Sequence, residues 1–214
     1  KEQSIESLKN LDSQKMYIGY ISLDKIMPYA DFKKYVDKQD LSEVWCAVQV
    51  LEPQKDEGNL EEATDFSNKD KAEAGEEYIT DFLSGAANIG FVCVPSYNAA
   101  FNWDDKKYPA LLPGCETDQM DEPDHWDSVE NNLKKENYAR QHFVSLLNYL
   151  SDQKQFLEMI AGDDYSPEAL KEMAYYVKKN GLKIYGFRTI ADKDSLLKLS
   201  KQSEVYEIYT EELN

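Results

Sequence analysis

"LKIYGFRTIADKDSLLKLSKQSEVYEIYTEE", Leu182 to Glu212, reads as a strand, a short helix and a second strand. "LKIYGFRTI" is rich in β-branched and aromatic residues, as a half-buried strand requires. Asp192 stands where a helix N-cap belongs, and Leu196 and Leu199 then fall on one face of the helix. "EVYEIYTEE" returns to strand character.

Nearly the same phrase stands at the other end of the chain. "KMYIGYISLD" (Lys15–Asp24) alternates as a strand, and Pro28 fits the first turn of a helix. Tyr29, Phe32, Tyr35 and Val36 share that helix's face. "KQDLSEVWCAVQVLE" (Lys38–Glu52) then echoes "KQSEVYEIYTEEL" (Lys201–Leu213). Val44, Cys46, Val48 and Val50 occupy one side of this strand and Trp45 and Ala47 the other, which predicts an interior strand. Each unit carries a glycine inside its first strand, Gly19 and Gly186. Duplication and the shared physics of strand-helix-strand units both account for the echo. A crossover helix makes the two strands of each unit parallel, with room for others between them. The expected fold class is α+β: a mixed sheet with two strand-helix-strand units of the split β-α-β, ferredoxin-like kind, and additional packed helices.

Between these ends, residues 52–88 form an acidic, partly helical insertion, and "NIGFVCVP" is a short strand that Pro95 stops. Residues 96–127 read as a long loop. "DSVENNLKKENYARQHFVSLLNYL" (Asp127–Leu150) predicts one long helix capped by Asp127 or Ser128, with Val129, Leu133, Phe143, Leu146, Leu147 and Leu150 as its stripe. "SPEALKEMAYYVKKNG" carries helix signals throughout, from the Ser166 cap and Pro167 to the Gly181 stop. The whole chain, 1–214, reads as a single domain.

A net charge of −17 repels the phosphate backbone and anionic lipid, which argues against nucleic acid as a partner. No apolar run is long enough to span a bilayer. The chain starts "KEQSIESLKN", without Met, and is read as part of a longer protein, with this stretch as a linker. Cys46, Cys93 and Cys115 show no zinc spacing, and the two histidines, His125 and His142, pair with no cysteine by spacing. No nucleophile elbow, phosphate loop, metalloprotease motif or dinucleotide fingerprint occurs. No catalytic, cofactor-binding or metal-ligating residue is assigned. The candidate partner or ligand surface is the aromatic set Tyr97, Phe101, Trp103 and Trp126, residue types that anchor interfaces and equally pack on sheets.

Several segments together resemble the sigma-factor regulator family, the C-terminal domain of membrane-anchored bacterial anti-sigma factors. They are "IGYISLDKIMPYADFKKYV", "EVWCAVQV", "NIGFVCVPSY", "ARQHFVSLLNYL" and the closing stretch from Leu182. The resemblance is one of pattern and order along most of the chain, weakest over residues 52–77. It implies a non-enzymatic sensor on the extracytoplasmic face of the membrane, tethered by an N-terminal transmembrane helix that is not in this chain. Its partner would be an envelope protein or ligand, with homo-oligomer formation compatible. The sigma factor would be bound only through a further N-terminal segment. The competing readings are a hydrolase using paired carboxylates or Cys115, and a protease-inhibitor- or propeptide-like binding module.

Overall fold

The alternation expected of the strands places their apolar residues on one face, and in a computed structural model of the protein that face is the floor of a single core. The structure describes residues 2–39, 41, 43–51, 89–94, 106–111, 131–155, 157 and 166–213. Its elements are α1 (Glu2–Lys9), β1 (Met16–Pro28), α2 (Tyr29–Val36), β2 (Val44–Val48), β3 (Gly90–Val94), α3 (Glu136–Asp152), α4 (Pro167–Asn180), β4 (Lys183–Asp192), α5 (Lys193–Ser200) and β5 (Val205–Glu212). The fold is α+β.

The five strands form one sheet in the order β3-β2-β4-β1-β5, and every neighbouring pair is antiparallel. The expected mixed sheet is therefore corrected. β4 lies between β1 and β2, and β1 lies between β4 and β5, so strands running the same way are never hydrogen-bonded neighbours. Tyr17, Ile21, Phe187, Ile208, Val44 and Cys46 point to one face, and α2, α3, α4 and α5 bury their apolar side chains in the same cluster. Phe32 of α2 meets Phe187 of β4 with ring centroids 5.6 Å apart, and Tyr29 stacks on Phe91 of β3 at 5.8 Å. Burying such an aromatic stabilises the fold by about 2–3 kcal/mol.

The two strand glycines have separate reasons. A Cβ on Gly19 would come within 2.7 Å of Leu196 Cδ2, because α5 lies directly on β1 there. A Cβ on Gly186 would meet the Ile21 backbone oxygen at 2.8 Å, and backbone cannot yield as a methyl can.

Local signals read α4 correctly to its ends. Ser166 Oγ accepts from Ala169 N–H at 3.1 Å, and Gly181 holds the positive φ of +80° that closes the helix. The long helix expected over Asp127–Leu150 differs: its described part is helical at 131–133, breaks at Lys134 and Lys135 and resumes as α3 from Glu136, while Asp127, Ser128 and Val129 lie outside the described residues. Leu133, Phe143 and Leu147 are buried as expected, whereas Leu146 and Leu150 are half-buried and Ala139, His142 and Ser145 take the inner face. The N-terminal stretch read as a linker is the docked helix α1. Its Leu8 belongs to the core, and Ser4 Oγ donates to the Ile208 carbonyl (2.8 Å) and accepts from the Ile208 N–H (3.2 Å) on the outer edge of β5.

Gly186→Ala is expected to destabilise the fold by about 1–3 kcal/mol through forced backbone movement, and Gly19→Ala by less, since the Leu196 terminus can rotate. Urea denaturation of the two variants checks the order; equal losses would refute the distinction between backbone and side-chain obstruction.

Candidate functional site

Because the described helices pack on one face of the sheet, the described side chains lie either inside the core or on the other face. Inside the core the reactive groups are closed off. Cys46 and Cys93 are fully buried free thiols, and the Cys46 S–H donates to the Phe91 carbonyl at 3.4 Å. Burial, and then the neighbouring Cys93, push the Cys46 thiol up, so no thiolate nucleophile forms there. Lys33 is also buried and is neutralised by Asp37 one turn on.

His142 is buried on α3 with its ring edge-on to Phe91 at 5.5 Å. Burial lowers its pKa to about 4, opposed by a hydrogen bond to the Ala110 carbonyl. Ala110 belongs to 106–111, the described part of the long loop, which is strapped along α3. Ser145 Oγ donates to the Pro109 carbonyl (2.6 Å), Tyr108 Oη donates to Asp152 (2.8 Å), and Lys107 pairs with the same carboxylate (2.8 Å). Lys107 and Tyr108 together hold the Asp152 carboxyl below its ordinary range. The Tyr108 ring meets Tyr149 edge-on at 5.2 Å. The loop is thus anchored at its middle. The four aromatics singled out from the sequence, Tyr97, Phe101, Trp103 and Trp126, lie outside the described residues, as do Cys115, His125 and the insertion 52–88.

The opposite face of the sheet carries a row of side chains in strict cross-strand register. Val92 pairs with Trp45, Trp45 with Arg188, Arg188 with Tyr20, and Tyr20 with Tyr209, so the row crosses all five strands. Tyr20 is 38% exposed and Tyr209 65%, with their rings 6.1 Å apart, while Trp45 and Arg188 are half-buried. Arg188 Nη2 donates to Glu43 Oε1 at 3.3 Å, and Tyr20 Oη donates to Glu211 Oε2 at 3.0 Å. Beside this row lie the half-buried Ile18 and Ile190, themselves register partners. Large aromatics left open next to carboxylates suit binding. The alternation predicted an interior strand covered on both faces; Ala47 is buried as expected, whereas Trp45 is only half-buried, and register alone assembles the row.

Among the described residues no group of three or more His, Cys, Asp or Glu side chains could hold a metal ion. A shallow cleft of about 520 Å³ at the start of α3, lined by Lys135, Glu136, Asn137, Tyr138 and Gln141, contains no buried catalytic pair. Among the described residues no helix is long and apolar enough to cross a membrane. In comparison with known proteins, the family model described as sigma factor regulator C-terminal matches residues 8–212, nearly the whole chain, and the chain belongs to that family. No curated protein and no solved structure matches it.

The His142 geometry has a pH consequence. An unfolded histidine titrates near 6.5 while the folded one resists protonation to about 4. As pH falls through that window the unfolded state takes up a proton that the folded state refuses, so stability declines. Denaturation midpoints between pH 7.5 and 4.5 are expected to show a loss of roughly 2–3 kcal/mol from this group. That part of the loss should vanish in His142→Gln, which keeps a donor for Ala110 but does not titrate; an unchanged acid slope would contradict the assignment.

Proposed function

We propose, from the premise that the chain is a sigma factor regulator C-terminal domain, that it is the extracytoplasmic sensor of a membrane-anchored anti-sigma factor. It relays an envelope signal by binding and not by catalysis. The family match over residues 8–212 is the observation that carries this reading. The buried, unactivated thiols of the core and the open aromatic face of the sheet support it. The scaffold reads as two interlocked split β-α-β units of ferredoxin-like kind with β3 added at one edge, a reading supported by the strand order. Tyr97, Phe101, Trp103 and Trp126 are proposed as part of the partner surface, in a loop that belongs to the same single domain as the acidic insertion. The partner is an envelope protein or ligand, and the sigma factor is held by a separate segment beyond α1, across a membrane anchor.

A relay of this kind needs a mechanical link between the binding surface and the tether, and the stimulus must favour one state of that link. α1 supplies the link. Ser4 ties it to β5, and Lys193 Nζ donates to the Lys9 and Leu11 carbonyls at 2.6 and 2.9 Å, tying its end to α5. An eight-residue helix is not stable alone, so α1 holds its conformation only while docked.

The test is a sigma-dependent transcription reporter in cells carrying the full-length regulator. Removal of this domain is expected to abolish the change in reporter output on stimulation while sigma binding persists. An undiminished response would sink the sensor reading. Ser4→Ala leaves the Ile208 N–H and carbonyl without their partner and is expected to loosen α1 by about 1–3 kcal/mol. Faster amide exchange at Ile208 in the isolated domain measures this, and exchange as slow as in the parent would refute the Ser4 tie.

A further inference from the structure

The face of the sheet that carries no described helix has a sign as well as a shape. Arg188, the one cation in the cross-strand row, is already matched by Glu43. Glu211 stands beside Tyr20, and Glu207 lies two residues before Tyr209 on the same side of β5. Aromatic rings therefore alternate with a net acidic charge across β1, β4 and β5, next to the apolar strip of Ile18 and Ile190. The surface has no helix, ion pair or ring from another described element laid over Tyr209 besides Tyr20 itself.

We propose that this face, along Trp45, Arg188, Tyr20 and Tyr209, docks an extended, cationic segment of a partner protein. The proposal deepens the binding reading above and rests on it. A Lys or Arg side chain laid on a tyrosine face gains from the ring quadrupole, and here Glu207 and Glu211 flank Tyr209 two residues to either side on the same side of β5, placed to pair with cations of the segment. Apolar side chains at the intervening positions of an extended segment fall on Ile18 and Ile190, since alternate residues of a strand share a face. A second copy of this chain is a poorer occupant, because a two-fold interface would bring Glu207 and Glu211 against their own equivalents. Anionic lipid is repelled by the same carboxylates and by the chain's net charge of −17.

The probe is a fluorescein-labelled twelve-residue peptide of Arg-Val-Lys-Thr repeats, compared with its Glu-Val-Asp-Thr counterpart and with vesicles of phosphatidylcholine and phosphatidylglycerol. The basic peptide is expected to bind the isolated domain, shifting backbone amide resonances of β1, β4 and β5. Tyr20→Ser with Tyr209→Ser, and Glu207→Gln with Glu211→Gln, should each weaken binding about tenfold. Glu168→Gln with Glu172→Gln on α4, distant acids of the same charge, should leave it unchanged. Equal loss in the α4 variant, full binding by the tyrosine variant, or binding of the vesicles in place of the basic peptide each overturns the proposal. In the reporter strain, the full-length regulator with Tyr20→Ser and Tyr209→Ser is expected to lose its stimulus response. A response retained by that variant but lost on removal of the whole domain defeats the docking proposal and leaves the sensor reading standing. A response that survives removal of the domain defeats both.

Discussion

Everything in this fold depends on β4 lying between β1 and β2. The hydrogen bonds of β1 go to β4 on one side and β5 on the other, and both partners come from the last part of the chain. Neither strand-helix-strand unit can satisfy its own backbone, since the two strands of each are held apart by a strand of the other. The ends of the chain therefore fold together or not at all. A sheet closed by pairings of such high sequence separation has to meet its loop-closure entropy before the contacts form, which slows folding and makes the native state cooperative.

That interlock is also where reading from sequence stops. α4 was legible to its caps because each signal acts within a few residues: Ser166 on Ala169 N–H, Pro167 in the first turn, Gly181 at the stop. The inward faces of α2 and α5 were legible for the same reason. Strand order was not, because alternation states which side chains share a face and says nothing about which strand is next. The break at Lys134 and Lys135 escaped because the run Lys134–Asn137 holds no glycine or proline to mark a helix end. The docking of α1 uses a serine hydroxyl standing in for a strand partner at Ile208, beside the burial of Leu8 and the Lys193 bonds, and no local pattern marks a serine for that task. That Trp45, Tyr20 and Tyr209 form one row with Arg188 is a property of register alone. Tyr97, Phe101, Trp103 and Trp126 fall outside the described residues.

The distribution of polarity narrows what such a molecule can do. The titratable groups of the core are held in their uncharged forms or neutralised: the Tyr29 phenol and the Cys46 thiol are pushed up by burial, His142 is pushed down, and Lys33 is paired. Groups held in this way specify packing and carry no proton chemistry at neutral pH. The unneutralised charge is at the surface and predominantly negative, where it selects partners by sign and accelerates encounter with cations.

The strap at 106–111 connects these two regions. Its Ala110 carbonyl engages His142, His142 lies against Phe91, and Phe91 sits on β3 beside Cys46 of β2, whose neighbour Trp45 points to the opposite face. Contact is thus continuous from the long loop, through one buried neutral histidine, to the end of the aromatic row. Burial holds the imidazole neutral, while the Ala110 carbonyl, which favours the charged form, satisfies its buried N–H. The described part of the loop and the aromatic row are thus bridged by packed side chains of the core.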